Sequence, residues 1–396
     1  MASDFVNTEG RRLAVVLSTD MGCFRSILRG VNAYAVSVLG WTLEVYGPHE
    51  PFVDHIRRAA PNGVILGPGG SPDMAAELVK TVGAVVGVAR EAQEIDGKLM
   101  WAIESDDESV GRAAAQHLLD RNFESLAFVG TNAWWSHRRH AGFEAALRER
   151  GIKPALFTQG DDVKPFGRAW PLPHYGAELL DWLRSLPKPL GLFAGNDLRG
   201  REIASLCRPE GIRVPEDVAI LGVDNDDLEC ELAQPPLSSV AVAWRRMGYE
   251  AAKLVERLID NPGRVSRKPV RIPPEAVAIR QSTDTTATDD RDVSAAVRFI
   301  RQNAHRPIGV PDVLDVVPAA RRSLEKRFRA ALGRSPLEEI RRAHIERAKV
   351  LLTQTDLPMP RVAAGSGFTS AAWFSKAFHD LVGETPTEFR QRSRPR

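Results

Sequence analysis

The chain has 396 residues, of which 43% are hydrophobic and 26% are charged. This composition excludes a mainly disordered chain, which would bury too little apolar surface to offset its conformational entropy. The net charge of +2 is unevenly distributed, because residues 291–396 hold 20 Lys and Arg against 11 Asp and Glu, a net of +9, whereas residues 1–290 hold 33 against 40, a net of −7. A basic end on an acidic body favours a polyanionic partner, above all nucleic acid.

The cysteine content and the hydropathy pattern bear on the compartment. Cys23, Cys207 and Cys230 are odd in number and scattered, which predicts neither a disulfide framework nor a zinc cluster, and a reducing cytoplasm is expected. No run approaches 18 apolar residues, and the first ten residues lack the apolar core of a signal peptide, so no membrane association is expected. The sequence predicts no cofactor and no bound metal.

Residues 1–282 alternate short apolar runs with amphipathic helical patterns. The apolar runs are continuous rather than alternating, which is typical of parallel strands buried on both faces. They predict strands at Leu13–Leu17, Thr42–Tyr46, Val64–Leu66, Ala84–Val88, Leu126–Val129, Leu190–Phe193 and Val218–Val223. Because these are too many strands for one sheet of usual size, we predict two similar lobes, each with a doubly wound sheet.

The end of the chain has a different pattern. Residues 283–290 are polar without periodicity and predict a linker, and residues 291–396 give no strand signal. Helices are predicted at Val293–Asn303, Val310–Val317, Arg321–Leu332, Leu337–Leu352, Met359–Ala364 and Ala371–Leu381. The fold class is therefore a two-lobed α/β domain over residues 1–282 followed by a compact all-α domain over residues 291–396.

Two segments of the helical domain share one pattern, a short helix, a tight connection and a second helix with apolar residues four apart. The second helices place Leu324 and Phe328, and then Phe374 and Phe378, on their inner faces. This arrangement predicts two helix-turn-helix units. The runs Arg321–Phe328, Ala331–Pro336 and Ala343–Leu352, together with Gly367-Phe368, Phe374-Ser375, Gly383, Thr385-Pro386 and Phe389-Arg390, resemble the AraC/XylS DNA-binding domain, a resemblance that implies binding of two successive major grooves.

The outward positions of the two second helices are the predicted DNA contacts. In the first unit they are Arg321, Arg322, Ser323, Lys326 and Arg329, and in the second unit Thr369, Ser370, Ala371, Ala372, Trp373 and Lys376. Arg322 is the favoured base reader, because arginine binds guanine through two hydrogen bonds. Ala371 and Ala372 stand where family members usually carry polar residues, and Pro318 and Ala320 replace the usual turn glycine and capping serine.

Most of residues 10–280 resemble the periplasmic-binding-protein-like sensor of LacI/GalR regulators. The resemblance rests on Arg29-Gly30-Val31, Asn62–Leu66, Arg139 with Gly142-Phe143, Gly195-Asn196-Asp197 and Val214–Asn225. LacI-type proteins carry their helix-turn-helix at the N-terminus, whereas here it follows the sensor. That combination is similar to the xylose-operon regulators of proteobacteria, a comparison supported by Met247–Leu254 and Gln281–Asp284.

The candidate ligand residues follow strand ends, where open α/β sheets bind ligands. Arginine and asparagine donate to sugar hydroxyls, carboxylates accept from them, and aromatic rings stack on the apolar sugar face. The candidates are Arg25, Arg139, Asn196, Asp197, Asp224, Phe24, Trp134 and Trp135. The family resemblance supports Arg139, Asn196 and Asp224 as sugar contacts; Phe24 stands where the proteobacterial regulators carry an acidic residue.

The predicted function is a sequence-specific transcription regulator of a sugar operon, with xylose or another pentose as effector. The expected partners are double-stranded DNA, a small sugar such as D-xylose, a second copy of the chain and RNA polymerase, with no membrane. Closure of the two lobes around the sugar is expected to change the spacing of the DNA-binding units. Three alternatives stay open, namely another sugar or small polar metabolite as effector, a sugar-acting enzyme with a DNA-binding tail, and a redox sensor using the three cysteines.

Overall fold

The computed structural model describes residues 10–38, 40–48, 52–69, 72–158, 172–284 and 290–393. The strands in these ranges are β1 Arg11–Val16, β2 Trp41–Tyr46, β3 Gly63–Leu66, β4 Val85–Val88, β5 Glu94–Ile95, β6 Lys98–Leu99, β7 Trp101–Ser105, β8 Ser125–Gly130, β9 Ala155–Thr158, β10 Leu190–Ala194, β11 Val218–Val223, β12 Ser238–Val240, β13 Val270–Ile272 and β14 Val277–Ala278. All seven predicted strands are among them.

Helices connect the strands and make up the end of the chain. They are α1 Gly22–Ser37, α2 Phe52–Ala59, α3 Pro72–Val82, α4 Asp107–Leu119, α5 Trp134–Arg148, α6 Leu172–Ser185, α7 Asp197–Cys207, α8 Asp227–Leu232, α9 Trp244–Asp260, α10 Arg291–Gln302, α11 Val310–Leu314, α12 Arg321–Leu332, α13 Pro336–Gln354, α14 Met359–Gly365, α15 Ala371–Val382 and α16 Pro386–Ser393, with short 3₁₀ turns at Pro262–Arg264 and Gln281–Thr283. The six helices predicted after residue 290 are all present, and α16 is the seventh in the described part of the chain.

The chain forms two compact units. The first unit, here the first lobe, contains the described residues up to Asp107 and Val242–Pro274. Its sheet has the order β13-β7-β4-β3-β1-β2, and every neighbouring pair is parallel. Helices α1 and α9 of this lobe pack against each other so closely that a Cβ at Gly30 would lie 1.9 Å from the carbonyl oxygen of Arg245.

The second unit holds the second lobe, made of the described residues in 108–241 and 275–284, and the helical C-terminal domain, residues 290–393. The sheet of the second lobe has the order β14-β12-β11-β10-β8-β9, parallel except for the pair β12 and β14. One cluster of buried side chains, including Leu192, Ile203 and Ile220, fills the space between this sheet and α7. The predicted two doubly wound sheets and the helical domain are confirmed.

Two separate apolar clusters stabilise the C-terminal domain. The first is built around Leu324 and Phe328 and ends at Ile340, and the second contains Phe374 and Phe378 and begins at Ile345. Helix α13 contributes to both clusters, so it joins the two helix-turn-helix units into one body. In the second helix-turn-helix unit, Gly367 has φ +77, and a Cβ there would lie 2.5 Å from Nε2 of His344. The turn therefore requires glycine.

Helices α12 and α15, the second helices of the two helix-turn-helix units, begin differently. Ser370, the N-cap of α15, accepts a hydrogen bond from the Trp373 amide, whereas the N-cap of α12 is Ala320, which makes no side-chain cap. We expect Ala320→Ser to raise the free energy of unfolding of the C-terminal domain by about 1 kcal/mol and Ser370→Ala to lower it by a similar amount. Thermal unfolding of the full chain checks both, and an unchanged or lower transition in Ala320→Ser would contradict the capping argument.

Candidate effector site and DNA-binding surface

The second lobe brings together several of the predicted ligand residues. Strands β8, β10 and β11 are neighbours, and Arg139 on α5, Asn196 after β10 and Asp224 after β11 therefore lie at one edge of the sheet. Nη1 of Arg139 donates to the carbonyl oxygen of Gly195 at 2.7 Å, and Nη2 lies 3.3 Å from Oδ1 of Asp224. The pair thus presents a donor and an acceptor beside each other at the carboxyl end of the sheet.

Asp224 has an unusual backbone. Its φ is +104, a conformation that side chains rarely adopt, and its amide donates to the carbonyl oxygen of Val240 at 3.0 Å. The next residue, Asn225, also has a positive φ, of +50, and accepts a hydrogen bond from Arg280 at 2.9 Å. Strained residues of this kind cluster at ligand sites, where the surrounding structure holds them in place. Asn225 and Arg280 were missed in the sequence, because their contact joins positions 55 residues apart.

Asn196 and Asp197 take different positions although they are adjacent. The side chain of Asn196 caps α7 by accepting from the amide of Arg199 at 2.9 Å, and it is half-buried. Asp197 is 2% exposed, and its Oδ2 accepts from the amide of Asp226 at 2.8 Å. Burial raises the pKa of Asp197 well above its ordinary value, and the neighbouring Asp224 carboxylate adds to the shift. Asp197 therefore holds the loop after β11 in place, and its direct contact with a ligand stays a prediction.

The raised pKa of Asp197 makes the free energy of unfolding of the second compact unit, which holds the second lobe and the C-terminal domain, depend on pH. Because the folded form holds its proton more tightly than the unfolded chain, the contribution of Asp197 is full below its ordinary pKa and is lost as pH rises towards the raised value. We expect Asp197→Asn to become more stable relative to the wild type as pH rises from the ordinary pKa of an aspartate towards the raised pKa of Asp197. Thermal unfolding across this range measures the difference, with Asp227→Asn, at an exposed position, as the control. A difference independent of pH would contradict the assignment.

The aromatic candidates lie beside arginines. Trp135 is 8% exposed, and the guanidinium carbon of Arg139 is 4.8 Å from its ring centre. Trp134 is half-buried, with the guanidinium of Arg138 at 5.0 Å. Trp135 therefore supports the position of Arg139 through a cation–π contact. Stacking of either ring on a sugar stays a prediction.

The first lobe holds the remaining candidates. Phe24 is buried in α1, and Arg25 is exposed and donates to the carbonyl oxygens of Thr19 at 2.8 Å and Asp20 at 3.1 Å. The side chain of Arg25 thus holds the β1–α1 loop. A residue that sequence reasoning missed is Arg90, which follows β4, is 9% exposed, and has an Nη1 without a hydrogen-bond partner in the described part of the chain. Its position directly after a buried apolar strand was the available signal.

The predicted DNA contacts are all exposed, and they lie on α12 and at the start of α15. Arg321, Arg322, Ser323, Lys326 and Arg329 of α12 are exposed, while Leu324 and Phe328 are fully buried. Thr369, Ser370, Ala371, Ala372, Trp373 and Lys376 are likewise exposed, and Phe374 and Phe378 are fully buried. Arg327 instead contacts Asp290 and Asp292, at 2.8 Å for Asp292, which fixes α12 to the start of α10.

Buried charges lie where the second lobe meets the C-terminal domain. Glu339 is 3% exposed and contacts two arginines, Arg301 at 3.5 Å and Arg334 at 2.6 Å, while Arg301 also lies 3.9 Å from Asp284. Burial favours the neutral form of Glu339, but Arg301 and Arg334 outweigh it and lower the pKa of this carboxyl group. Burial, and then the nearby Arg301, lower the pKa of Arg121 to about 9, so it stays charged at neutral pH.

Direct hydrogen bonds extend this contact. Arg334 donates to the carbonyl oxygen of Asp120 at 3.1 Å, Arg342 pairs with its carboxylate at 2.7 Å, and Asn122 donates to the carbonyl oxygen of Ala331 at 2.8 Å. The residues after α4 of the second lobe are therefore joined to the end of α12 and to α13. This contact leaves the predicted DNA-binding face of α12 exposed.

A line of hydrogen bonds runs from the loop after β11 towards this contact. Arg280 binds Asn225 through its side chain, and its main chain exchanges hydrogen bonds with the hydroxyl of Ser238. Ser238 accepts from the hydroxyl of Thr283 at 2.7 Å, and Arg121 donates to the carbonyl oxygen of Thr283 at 2.8 Å. Thr283 is fully buried and so packs with the second lobe, while residues 285–289 of the predicted linker lie outside the described residues.

Two family models match the chain. The periplasmic binding protein-like domain matches residues 115–283, and a helix-turn-helix domain matches residues 315–392. Within the described ranges no helix has the length and apolar character that crossing a membrane requires, and no three His, Cys, Asp or Glu residues are grouped as metal ligands. The fold and the exposed basic helices thus define a DNA-binding transcription regulator with a sensor of the periplasmic-binding-protein type.

Relatives of the same architecture narrow the class. The chain is 30% identical over 385 residues to the xylose operon regulatory protein of Haemophilus influenzae, covering 96% of this chain and 98% of the relative, and 29% identical over 389 residues to that of Escherichia coli K12, covering 97% of each. A solved structure of the xylose-binding transcription activator xylR is 27% identical and covers 97% of this chain and 98% of that one, with a TM-score of 0.61. The chain belongs to the family of xylose operon regulatory proteins.

Proposed function

We propose that the chain controls a xylose or related pentose operon through a sugar bound at the Arg139–Asp224 edge of the second lobe. The observation that carries the proposal is the pairing of a buried arginine with a strained, partly exposed carboxylate at the carboxyl end of three neighbouring strands. Sugar hydroxyls both donate and accept, so Asp224 would accept from one hydroxyl and Arg139 would donate to another. Asn196 is the third contact that we propose.

We propose D-xylose as the effector, because the relatives of full length carry its name. Phe24 favours a second candidate, another sugar or small polar metabolite, since the expected acidic residue is replaced here by a buried ring. A thermal-shift screen of free sugars on the full chain separates the two. A sugar present at 100 times its dissociation constant is expected to stabilise the chain by about 2.7 kcal/mol. If another sugar stabilises the chain and D-xylose does not, that sugar is the effector in place of D-xylose.

We propose that the chain is a regulator and not an enzyme. The relatives are operon regulatory proteins. The sequence carries no Gly-x-Ser-x-Gly, His-Glu-x-x-His or P-loop motif. The three cysteines are free and buried, and burial raises the pKa of Cys207 to about 11, which does not favour a thiol-based sensor. Chromatography of the sugar after incubation tests turnover, and persistence of sugar-dependent DNA binding after thiol alkylation tests the redox alternative.

We further propose that the chain acts in the cytoplasm as a homodimer and recruits RNA polymerase as an activator. A regulator that binds chromosomal DNA acts in the cytoplasm. A homodimer, the commonest symmetric assembly, would place four helix-turn-helix units on one operator. Analytical ultracentrifugation measures the oligomeric state. In vitro transcription with purified polymerase distinguishes activation from repression.

We propose that the sugar signal reaches DNA through the second lobe. The support is the line of hydrogen bonds from Asn225 through Arg280 and Thr283 to Arg121, beside the buried contact with the C-terminal domain. A sugar that reorganises the loop after β11 would displace these hydrogen-bonded residues. The C-terminal domain would move with them, because Asp120 forms an ion pair and Asn122 a hydrogen bond with it. The coupling is limited to the difference in sugar affinity between the two states.

The first helix-turn-helix unit, which contains α12, is expected to make most of the hydrogen bonds to DNA bases. Arg322 is exposed in the first turn of α12, so Arg322→Ala should cost about 1–3 kcal/mol on the preferred site and relax the preference at one or two base pairs. Lys376→Ala should weaken preferred and scrambled sites equally, because a phosphate contact carries no sequence information. Binding to single-base variants of a selected duplex measures both, and a changed base preference in Lys376→Ala alone would reverse the assignment.

A further inference from the structure

The first turn of α15 has a composition unusual for a basic DNA-binding face. Ala371, Ala372 and Trp373 are consecutive and exposed, and Trp373 keeps 41% of its surface exposed. The corresponding turn of α12 carries two arginines and a serine. In helix-turn-helix proteins the N-terminal residues of the recognition helix meet the base edges. Ala371 and Ala372 therefore present to DNA methyl groups that cannot hydrogen-bond a base, and Trp373 adds a large ring whose one polar group is the indole N–H.

The burial pattern fixes which side of α15 faces outward. Phe374, Ala377 and Phe378 are buried in the second apolar cluster, so the helix cannot turn its apolar first turn inward. The guanidinium carbon of Arg341 lies 5.2 Å from the Trp373 ring centre, and Lys376 is exposed one turn after Ala372. The apolar surface is thus flanked by cations, which suits the phosphates on either side of a groove.

We propose that Ala371, Ala372 and Trp373 recognise the 5-methyl groups of thymines in the major groove. The proposal rests on the proposed DNA-binding function and names what the second unit reads. Among the groups exposed in the major groove, the thymine methyl is the apolar one, and alanine and aromatic side chains contact it without hydrogen bonds. The preferred operator is therefore rich in A·T pairs where the second unit binds, while Arg322 reads a guanine where the first unit binds.

The experiment removes the methyl groups from DNA and leaves every hydrogen-bonding group in place. A duplex is selected from a random-sequence library with the full chain, and each thymine is then replaced singly by deoxyuridine. The half-site of the first unit is identified as the one at which Arg322→Ala relaxes the base preference. In the other half-site, we expect deoxyuridine to weaken binding about three- to fivefold for each contacted methyl, the value for burying one methyl-sized group.

Two variants assign the effect to the proposed surface. Trp373→Ala should bind thymine and deoxyuridine duplexes more nearly equally, whereas Lys376→Ala should bind both more weakly and keep the wild-type ratio between them. Unchanged binding for every deoxyuridine in the second half-site would overturn the inference while leaving the DNA-binding function standing, and so would a full wild-type ratio in Trp373→Ala. Failure to select any duplex would overturn the proposed function as well.

Discussion

Glu339→Ala is expected to destabilise the second lobe and C-terminal domain by about 3–5 kcal/mol, because it leaves Arg301 and Arg334, whose side chains are 13% and 14% exposed, without their shared carboxylate. Glu339 is 3% exposed and lies 3.5 Å from Arg301 and 2.6 Å from Arg334. Arg334 in turn donates to the carbonyl oxygen of Asp120 in the second lobe. The loss therefore falls on the contact between the second lobe and the C-terminal domain as well as on the C-terminal domain itself.

Urea unfolding of the full chain measures the effect, with Glu338→Ala as a neighbouring control whose side chain lies at the surface and caps α13. The control should cost about 1 kcal/mol, as a lost cap does. Equal losses in Glu339→Ala and Glu338→Ala would show that the buried charges do not stabilise the contact.

Asp120→Ala removes the carboxylate that pairs with Arg342, at a partly exposed position. We expect it to reduce the effect of sugar on DNA affinity without unfolding the chain.

Asp224→Ala is expected to weaken sugar binding roughly 10- to 150-fold, because a charged hydrogen-bond partner of the ligand is worth about 1.5–3 kcal/mol. The same change removes the carboxylate beside Arg139, whose guanidinium keeps the Gly195 carbonyl oxygen and the Trp135 ring as neighbours. DNA binding without sugar should persist, since Asp224 belongs to the second lobe and not to the C-terminal domain.

Isothermal titration calorimetry with the stabilising sugar measures this loss. The matched control is Asp226→Ala, which removes a cap of α8 two residues away. It should lower stability by about 1 kcal/mol with a smaller loss of sugar affinity. Unchanged affinity in Asp224→Ala would remove this carboxylate from the site.

Continuous apolar runs predicted six interior strands and the edge strand β2, but not the short interior strand β12, which holds two serines. The same pattern missed β7, which includes a charged residue, Glu104; that side chain is fully buried, with Arg271 at 3.6 Å. Arg271 stands 167 residues later in the chain, so no local pattern could pair the two. The edge strands β9, β13 and β14 were missed for a related reason, because they are short and partly exposed.

The site was predicted in part. Strand ends and the family resemblance located Arg139 and Asp224, which the structure pairs. The same reasoning treated Asn196 and Asp197 alike, although one caps a helix and the other is buried beneath the loop after β11. Burial of one of two adjacent polar residues depends on packing from distant segments. The contact of Asp120 and Asn122 with the C-terminal domain joins residues more than 200 positions apart and had no sequence signal.

The most direct test of sugar-controlled DNA binding is the operator affinity of the full chain with and without D-xylose, measured by fluorescence anisotropy on a selected duplex. We predict that saturating D-xylose changes this affinity about 5- to 150-fold, the usual range of coupling between two sites, and that DNA changes the affinity for D-xylose by the same factor. Asp224→Ala should abolish the change at that sugar concentration and keep the sugar-free affinity. Equal operator affinity at every concentration of D-xylose and of the other sugars screened would contradict sugar control of DNA binding.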